Sequence, residues 1–361
     1  MNIIIAGGGT GGHLFPGIAI AREFQKRSRS NRILFLGSAQ GIEARILPQL
    51  GYRLQTITVK GFKGKGLRKQ MQALMAIPAG IYQAGNIIRR FSADIIIGVG
   101  GYISFPPLAA GILLRIPTAI HEQNSVPGLS NRSIGKLVDR IFITYEASRA
   151  FFKPARTVLS GMPLRCPDVP VQPTARTDQF CIFVCGGSQG AREINQAVIA
   201  GLPHLEDLKT RIRFIHQCGT RDLDFVRSGY QQAGFSAETA PFIDDMMSCY
   251  QQAHLVICRA GAATLAELAA CGRAALLIPY PYATDNHQEK NARVLTDSGA
   301  ALLQLSARLN AETLAARIRE LEQNRAEITI LEERIKTFTR PQAAETIANE
   351  CCHLVNKHKG D

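Results

Sequence analysis

Met1-Asn-Ile-Ile-Ile-Ala-Gly-Gly-Gly-Thr-Gly-Gly-His-Leu-Phe-Pro-Gly17 opens the chain, and Cys181-Ile-Phe-Val-Cys-Gly-Gly-Ser-Gln-Gly190 repeats its pattern far downstream. In both places an apolar run stops at Gly-Gly-(Ser/Thr)-x-Gly, first as Gly8-Gly9-Thr10-Gly11-Gly12 and then as Gly186-Gly187-Ser188-Gln189-Gly190. Glycines between a buried strand and a helix let the backbone turn sharply and approach a ligand closely. The helix start that follows offers unpaired N–H groups to an anion. The spacing is not the Gly-x-Gly-x-x-Gly fingerprint with its downstream acid, so a nicotinamide cofactor is not expected. One such loop is compatible with a plain tight turn. Two in the same register predict two similar α/β halves, and since open α/β sheets bind ligands outside their strands' carboxyl ends, one cleft with two ligands.

The 361 residues allow two domains, each with its own core. Strand-like runs recur between helical stretches at 32–36, 95–99, 118–121, 140–144, 212–216, 255–258 and 275–279. That alternation predicts βαβ units and a mostly parallel sheet in each half. Gly161, Pro163, Pro167, Pro170 and Pro173 place the boundary between Ser160 and Thr177. From Asn310 onward the chain reads as helices, with Pro341 setting off a last one around Gln342 to Val355. The charge-free stretch Ile95 to Leu114 contains Gly98, Gly100, Gly101 and Pro106-Pro107, so it reads as strand, turn and buried helix rather than a membrane span.

Nine scattered cysteines without C-x-x-C spacing predict reduced thiols in a cytoplasm, and no signal peptide is expected ahead of the glycine loop. The charge of +13 is uneven: residues 1–163 carry 21 Lys and Arg against 6 Asp and Glu, whereas the remainder carries 21 against 23. No acid occurs between Glu43 and Asp94. Lys60, Lys63, Lys65, Arg68 and Lys69 lie there beside Met75, Ile77 and Ile81. Such a segment suits an anionic membrane surface, each base contributing about 1 kcal/mol. A core plus a solvated basic face is the competing reading. No recognition motif supports nucleic acid.

The densest chemical cluster is Cys258-Arg-Ala-Gly-Ala-Ala-Thr-Leu-Ala-Glu-Leu-Ala-Ala-Cys-Gly272. Its small residues Ala260 to Ala263 form a loop, and the helix starting near Thr264 would set a diphosphate against its N–H groups. Glu267 lies one turn inside, placed to accept hydrogen bonds from a ribose, or simply as favourable charge near a helix start. Asp222 and Asp224 resemble a metal-binding acidic pair but fall in a surface segment, and no metal site is expected.

Together these stretches resemble the MurG family. The resemblance spans nearly the whole chain: Gly8-Gly9-Thr10-Gly11-Gly12-His13 with Pro16, Gly100-Gly101-Tyr102, His121-Glu122-Gln123-Asn124, Pro163-Leu164-Arg165, Gly186 to Ala191, Phe242-Ile243-Asp244-Asp245-Met246, Arg259 to Ala262 with Thr264 and Glu267, and His287-Gln288 with Asn291-Ala292. It implies the GT-B architecture, two Rossmann-like domains facing across a cleft. Residues 1–163 would form the acceptor- and membrane-binding domain, residues 164–340 the donor domain, and residues 341–361 a helix packing back on the first.

The implied activity is inverting transfer of N-acetylglucosamine from UDP-N-acetylglucosamine to the C4 hydroxyl of lipid I, giving lipid II, at the cytoplasmic face of the bacterial inner membrane. No cofactor is implied, and other cell-wall synthesis enzymes are conceivable partners. For the donor the resemblance points to Ile243 at the uracil and Glu267 at the ribose. Ala262, Ala263 and Thr264, continuing into Leu265 and Ala266, would meet the diphosphate together with Arg165 and Ser188. Gln288 would meet the sugar hydroxyls, and Asn124 would reach the donor from the other domain. Thr10, Gly11 and Gly12 would cradle the acceptor's diphosphate. His13 is the first candidate for the base and Glu122 the second. Met162 stands where the family often has asparagine, which bears on a hydrogen bond at the hinge and not on the reaction. The alternatives are a UDP-N-acetylglucosamine epimerase of the same architecture, a transferase with another lipid-linked acceptor, and a non-catalytic binder of lipid-linked sugars.

Overall fold

In the computed structural model, residues 1–58, 67–164, 179–187 and 189–360 are described, with the backbone alone for 67–76. The chain forms two units, Met1–Pro167 with Arg340–Asp361, and Asp168–Thr339.

The first unit is built on seven strands: β1 (Asn2–Ala6), β2 (Arg32–Gly37), β3 (Arg53–Thr56), β4 (Ile95–Gly98), β5 (Thr118–Glu122), β6 (Arg140–Ile143) and β7 (Thr157–Leu159). All pair in parallel, in the order β3-β2-β1-β4-β5-β6-β7. The central strands are unbroken isoleucine runs because helices cover both faces of the sheet. Ile3, Ile5, Ile95 and Ile97 face one core with Leu14, Ile18 and Phe24 of the helix Gly11–Arg27. Ile4, Ile96, Ile120 and Ile141 face the opposite core with Ala84, Ile88 and Leu108. Ile347, Ala348, Cys351 and Val355 of the last helix, Ala343–Lys359, belong to the first of these cores. The Arg140–Glu350 and Lys359–Asp94 ion pairs flank that helix.

The second unit carries β8 (Phe180–Cys185), β9 (Ile212–Gln217), β10 (Ser236–Ala240), β11 (Leu255–Cys258), β12 (Ala275–Leu277) and β13 (Leu302–Leu303). They are again all parallel, in the order β10-β9-β8-β11-β12-β13. Phe180, Ile182 and Val184 pack on one face against Ile194, Val226, Leu314 and Ile318 of the covering helices.

Both sheets therefore reverse direction beside their first strand, between β1 and β4 and between β8 and β11. Open α/β sheets take ligands outside the carboxyl ends at such switch points, and both glycine loops lie there. Every central strand expected from the sequence is present, with ends shifted by a residue or two. The stretch Ile95 to Leu114 folds as β4, a short 3-10 turn (Tyr102–Ser104) and the helix Phe105–Leu113. Among the described residues no helix is long and apolar enough to cross a membrane.

Candidate active site

In the first unit Gly7 and Gly8 leave β1 with φ of 152° and 151°. A Cβ on Gly8 would stand 2.4 Å from the carboxyl carbon of Glu43, so only glycine fits. Glu43 is fully buried. Its Oε2 accepts from the Gly9 N–H at 2.8 Å, and its Oε1 accepts from the backbone and hydroxyl of Ser38, both at 2.9 Å. These hydrogen bonds satisfy the buried carboxyl group and fix the glycine turn from behind. Glu43 carried no expected role; its only signal in the sequence was its isolation at the edge of an acid-free stretch beside Gly41.

Thr10 caps the helix Gly11–Arg27 in extended conformation, and that helix has no acid in its first turn. Gly11 and Gly12 thus present N–H groups at its positive end. His13, half-buried, follows directly, with Nδ1 3.3 Å from Oε1 of Gln123. Gln123 and His121 are buried at the carboxyl end of β5. The Gln123 amide donates to the Val99 carbonyl at 2.8 Å and to His121 Nδ1 at 3.1 Å. His121 Nε2 lies 3.0 Å from the Gly161 carbonyl, and burial pushes this imidazole down to about 4.

Glu122 sits next to this group but is differently engaged. Its Oε1 accepts from the backbone and side chain of Asn124 at 2.9 and 3.1 Å. Its Oε2 accepts from Asn131 at 2.9 Å and from the Gly128 N–H at 3.3 Å. Burial raises this carboxyl's pKa against the opposing pull of those donors. The carboxylate is a brace for the loop that carries Asn124, an arrangement the motif alone did not reveal.

In the second unit the helix Ala262–Cys271 starts after β11 from Gly261, again with no acid in its first turn. Ala263, Thr264 and Ala266 are half-buried, whereas Leu265 turns into the core. Glu267 accepts from the Tyr250 hydroxyl at 3.0 Å. Tyr250 is fully buried, packs edge-on against Phe183 and had no sequence signal. Ile243 follows β10, and its N–H donates to Gln217 Oε1 at 2.9 Å. The Gln217 amide in turn donates to the Gly187 carbonyl at 2.9 Å, so one buried glutamine joins the glycine loop to the Ile243 loop. Gln288 accepts from the Tyr280 N–H at 2.9 Å, which leaves its amide end to donate.

Arg259 ties these loops together, donating to the carbonyls of Ile278 and Pro279, to the Ser306 hydroxyl and to Glu193. Asp285 and Asn286 precede Gln288 with φ of 55° and 53°, a left-handed pair that these two residue types tolerate best. Asp222 accepts from Asn195, a structural contact.

Arg165, Ser188, Lys60, Lys63 and Lys65 lie outside the described residues. Arg68, Lys69 and Met75 lie on the helix Leu67–Phe91, where only the backbone is described. Ile77 is half-buried, and Ile81 packs against the core beneath the sheet. Ile81 is itself only partly buried. Tyr82, its neighbour, is 71% exposed.

Two family models match the chain: the glycosyltransferase family 28 N-terminal domain over residues 3–143 and the family 28 C-terminal domain over residues 181–347. Relatives named UDP-N-acetylglucosamine–N-acetylmuramyl-(pentapeptide) pyrophosphoryl-undecaprenol N-acetylglucosamine transferase are similar over almost the full length. The one from Myxococcus xanthus is 45% identical, covering 98% of this chain and 93% of its own. The one from Geobacter metallireducens is 45% identical, covering 99% and 100%. Among solved structures, MurG of Acinetobacter baumannii superposes with a TM-score of 0.81 at 28% identity, covering 98% of this chain and 99% of that one. The calicheamicin glycosyltransferase CalG4 superposes at 0.71 with 13% identity, covering 99% and 98%, a likeness of fold alone.

Proposed function

The chain belongs to the MurG family of glycosyltransferases, and we propose that it divides that family's reaction between its two units, the second holding the sugar nucleotide and the first the lipid-linked acceptor. The reaction moves N-acetylglucosamine from UDP-N-acetylglucosamine to the C4 hydroxyl of the muramyl sugar of lipid I, giving lipid II for peptidoglycan. Both substrates carry a diphosphate. The observation that carries the division is that each unit offers an acid-free helix start at its switch point, Gly11–Arg27 after β1 and Ala262–Cys271 after β11. Each provides the backbone N–H groups and positive dipole end that a diphosphate needs.

On the donor side Glu267, oriented by Tyr250, binds the ribose, and Gln288 donates to the sugar. Leu265 and Ala266 contribute backbone only, and Arg165 and Ser188 complete the diphosphate contacts. Because the Ile243 N–H is spent on Gln217, its carbonyl is the group offered to the uracil. Stabilisation of the leaving diphosphate by fixed dipoles needs no reorganisation as the bond breaks.

On the acceptor side His13 takes the proton from the attacking hydroxyl, a role that contributes about 10²–10⁴-fold. Glu122, with four donors on its carboxylate, holds the loop instead. The chain binds the membrane peripherally through Lys60, Lys63, Lys65, Arg68 and Lys69, with Met75, Ile77 and Ile81 as apolar contacts beside the exposed Tyr82. The excess of bases in residues 1–163 supports this, since the acceptor's polyprenyl tail stays in the bilayer.

The test is incubation with UDP-N-acetylglucosamine, with and without lipid I, read by mass spectrometry. Lipid II should form only when both are present. An epimerised nucleotide without acceptor would point to the epimerase reading instead. In vesicle co-sedimentation, changing three or more of the five bases to glutamate should release the protein from anionic liposomes, as high salt should. Equal binding to neutral and anionic vesicles would end the membrane assignment.

A further inference from the structure

The polar chain behind His13 has a direction that its chemistry dictates. A carbonyl oxygen can only accept, and the Val99 carbonyl lies 2.8 Å from the side-chain amide of Gln123. The NH2 end of Gln123 must therefore face Val99, because the flipped amide would set two acceptors against each other. That same NH2 end reaches His121 Nδ1 at 3.1 Å. His121 accepts there because its other nitrogen, Nε2, donates to the Gly161 carbonyl at 3.0 Å, with the Thr144 hydroxyl 3.5 Å away. Burial keeps His121 neutral, so it has one proton to place. With both hydrogens of the amide committed, Oε1 of Gln123 faces His13 Nδ1 at 3.3 Å and requires a donor from it.

Gly100 makes this approach possible. It has a φ of 95°, and a Cβ there would lie 2.7 Å from His13 Nδ1 and 3.1 Å from Gln123 Oε1. Four strands contribute to the arrangement, since His13 follows β1, Val99 and Gly100 follow β4, Gln123 follows β5 and Gly161 follows β7.

We propose that Gln123 is a positioning residue that holds His13 in the Nδ1–H tautomer and so makes Nε2 the nitrogen that accepts the acceptor's proton. This rests on the reading of His13 as the base. The ring nitrogen that is protonated is set by the hydrogen bond made at the other end of the ring, and here that bond is anchored through an amide to a backbone carbonyl that cannot reverse.

The experiment uses the full-length protein labelled with [15N]histidine, with His13→Ala identifying the His13 signals by difference. Long-range 1H–15N correlation at a pH where His13 is neutral reports which nitrogen carries the proton. Wild type should show it on Nδ1. Gln123→Met keeps the side chain's length but removes both polar ends; it should move His13 toward the Nε2–H form and lower kcat by 10- to 100-fold, leaving KM for UDP-N-acetylglucosamine unchanged. Gln123→Glu, protonated in this buried site, can still donate to Val99 and accept from His13. It should retain the Nδ1–H signal and most of the activity, and it keeps the test open if the methionine variant does not fold.

A wild-type proton on Nε2, or a Gln123→Met protein with unchanged tautomer and kcat, would overturn the proposal. The base reading fails separately: His13→Ala with wild-type turnover removes it while leaving the tautomer assignment to be decided by the spectra.

Discussion

In the first unit the glycine turn after β1 leans on a buried charge, whereas in the second the turn after β8 leans on backbone and a neutral amide. Glu43 holds the N–H of Gly9 and both polar groups of Ser38. Gln217 holds the carbonyl of Gly187, and Gly190 packs so closely on Cys218 that a Cβ would lie 2.0 Å from its carbonyl oxygen. The strand orders match, so topology does not explain the difference. Electrostatics does. Gln217 spans directly to the Ile243 loop, where the nucleotide is held in our reading, and a carboxylate there would oppose an anionic ligand. Glu43 is engaged by the Gly9 N–H and by the backbone and hydroxyl of Ser38. A shared fold thus carries two solutions to fixing a loop, chosen by where the anion has to go.

The largest effect expected from this contrast separates catalysis from binding. His13→Ala should lower turnover by about 10²–10⁴-fold and leave UDP-N-acetylglucosamine affinity at its wild-type value, as measured by kinetics and calorimetry. Collapse of donor affinity with turnover preserved at saturation would erase the assignment of one ligand to each unit.

Acid should destabilise both units. Each has one buried histidine in its sheet, His121 on β5 and His216 on β9, pushed by burial from 6.5 to about 4 and about 3. Because the unfolded chain binds the proton more readily, stability is fully present above pH 6.5 and falls as pH drops toward 4. The slope approaches about 1.4 kcal/mol per pH unit for each histidine. Urea unfolding at stepped pH reads this directly, and a midpoint that stays flat between pH 6.5 and 4.5 would contradict it.

On the donor side Glu267→Ala should weaken UDP binding by about 1.5–3 kcal/mol, the range for a hydrogen bond to a charged group. Unchanged affinity in a folded variant would take Glu267 out of the site. The smallest effect belongs to its support: Tyr250→Phe keeps the packing on Phe183 and removes one hydrogen bond, so UDP affinity should fall by about 0.5–1.5 kcal/mol. A loss as large as that of Glu267→Ala would mean that Tyr250 itself meets the ligand.

Legibility in the sequence followed burial. The central strands were readable because helices cover both faces, which demands continuous apolar runs such as Ile3 to Ile5 and Ile95 to Ile97. The strands that escaped reading are β3, β7, β10 and β13, the outer strands of the two sheets. Edge strands are short and partly solvated, as Arg53–Thr56 and Ser236–Ala240 show, and their pairing comes from the neighbouring strand rather than from their own composition. Glycine loops and helix starts were also readable, since a turn without Cβ atoms leaves a compositional trace. The hydrogen-bond partners were not.

By itself the sequence determined the parallel α/β class, the two halves and the positions of both glycine loops, because local backbone geometry and strand periodicity act over a few residues; His13, Glu267 and Gln288 entered as candidates, Gln288 through the family resemblance alone. Only the tertiary structure decided that Glu43 locks one loop and Gln217 the other, that Tyr250 orients Glu267, and that Glu122 braces while Gln123 reaches His13. Apart from the Glu122 brace, whose partners lie within nine positions of it, those contacts join residues from 17 to 110 positions apart. A hydrogen bond depends on the direction and distance of two atoms, and for residues on different strands that geometry exists only once the sheet has brought their ends together.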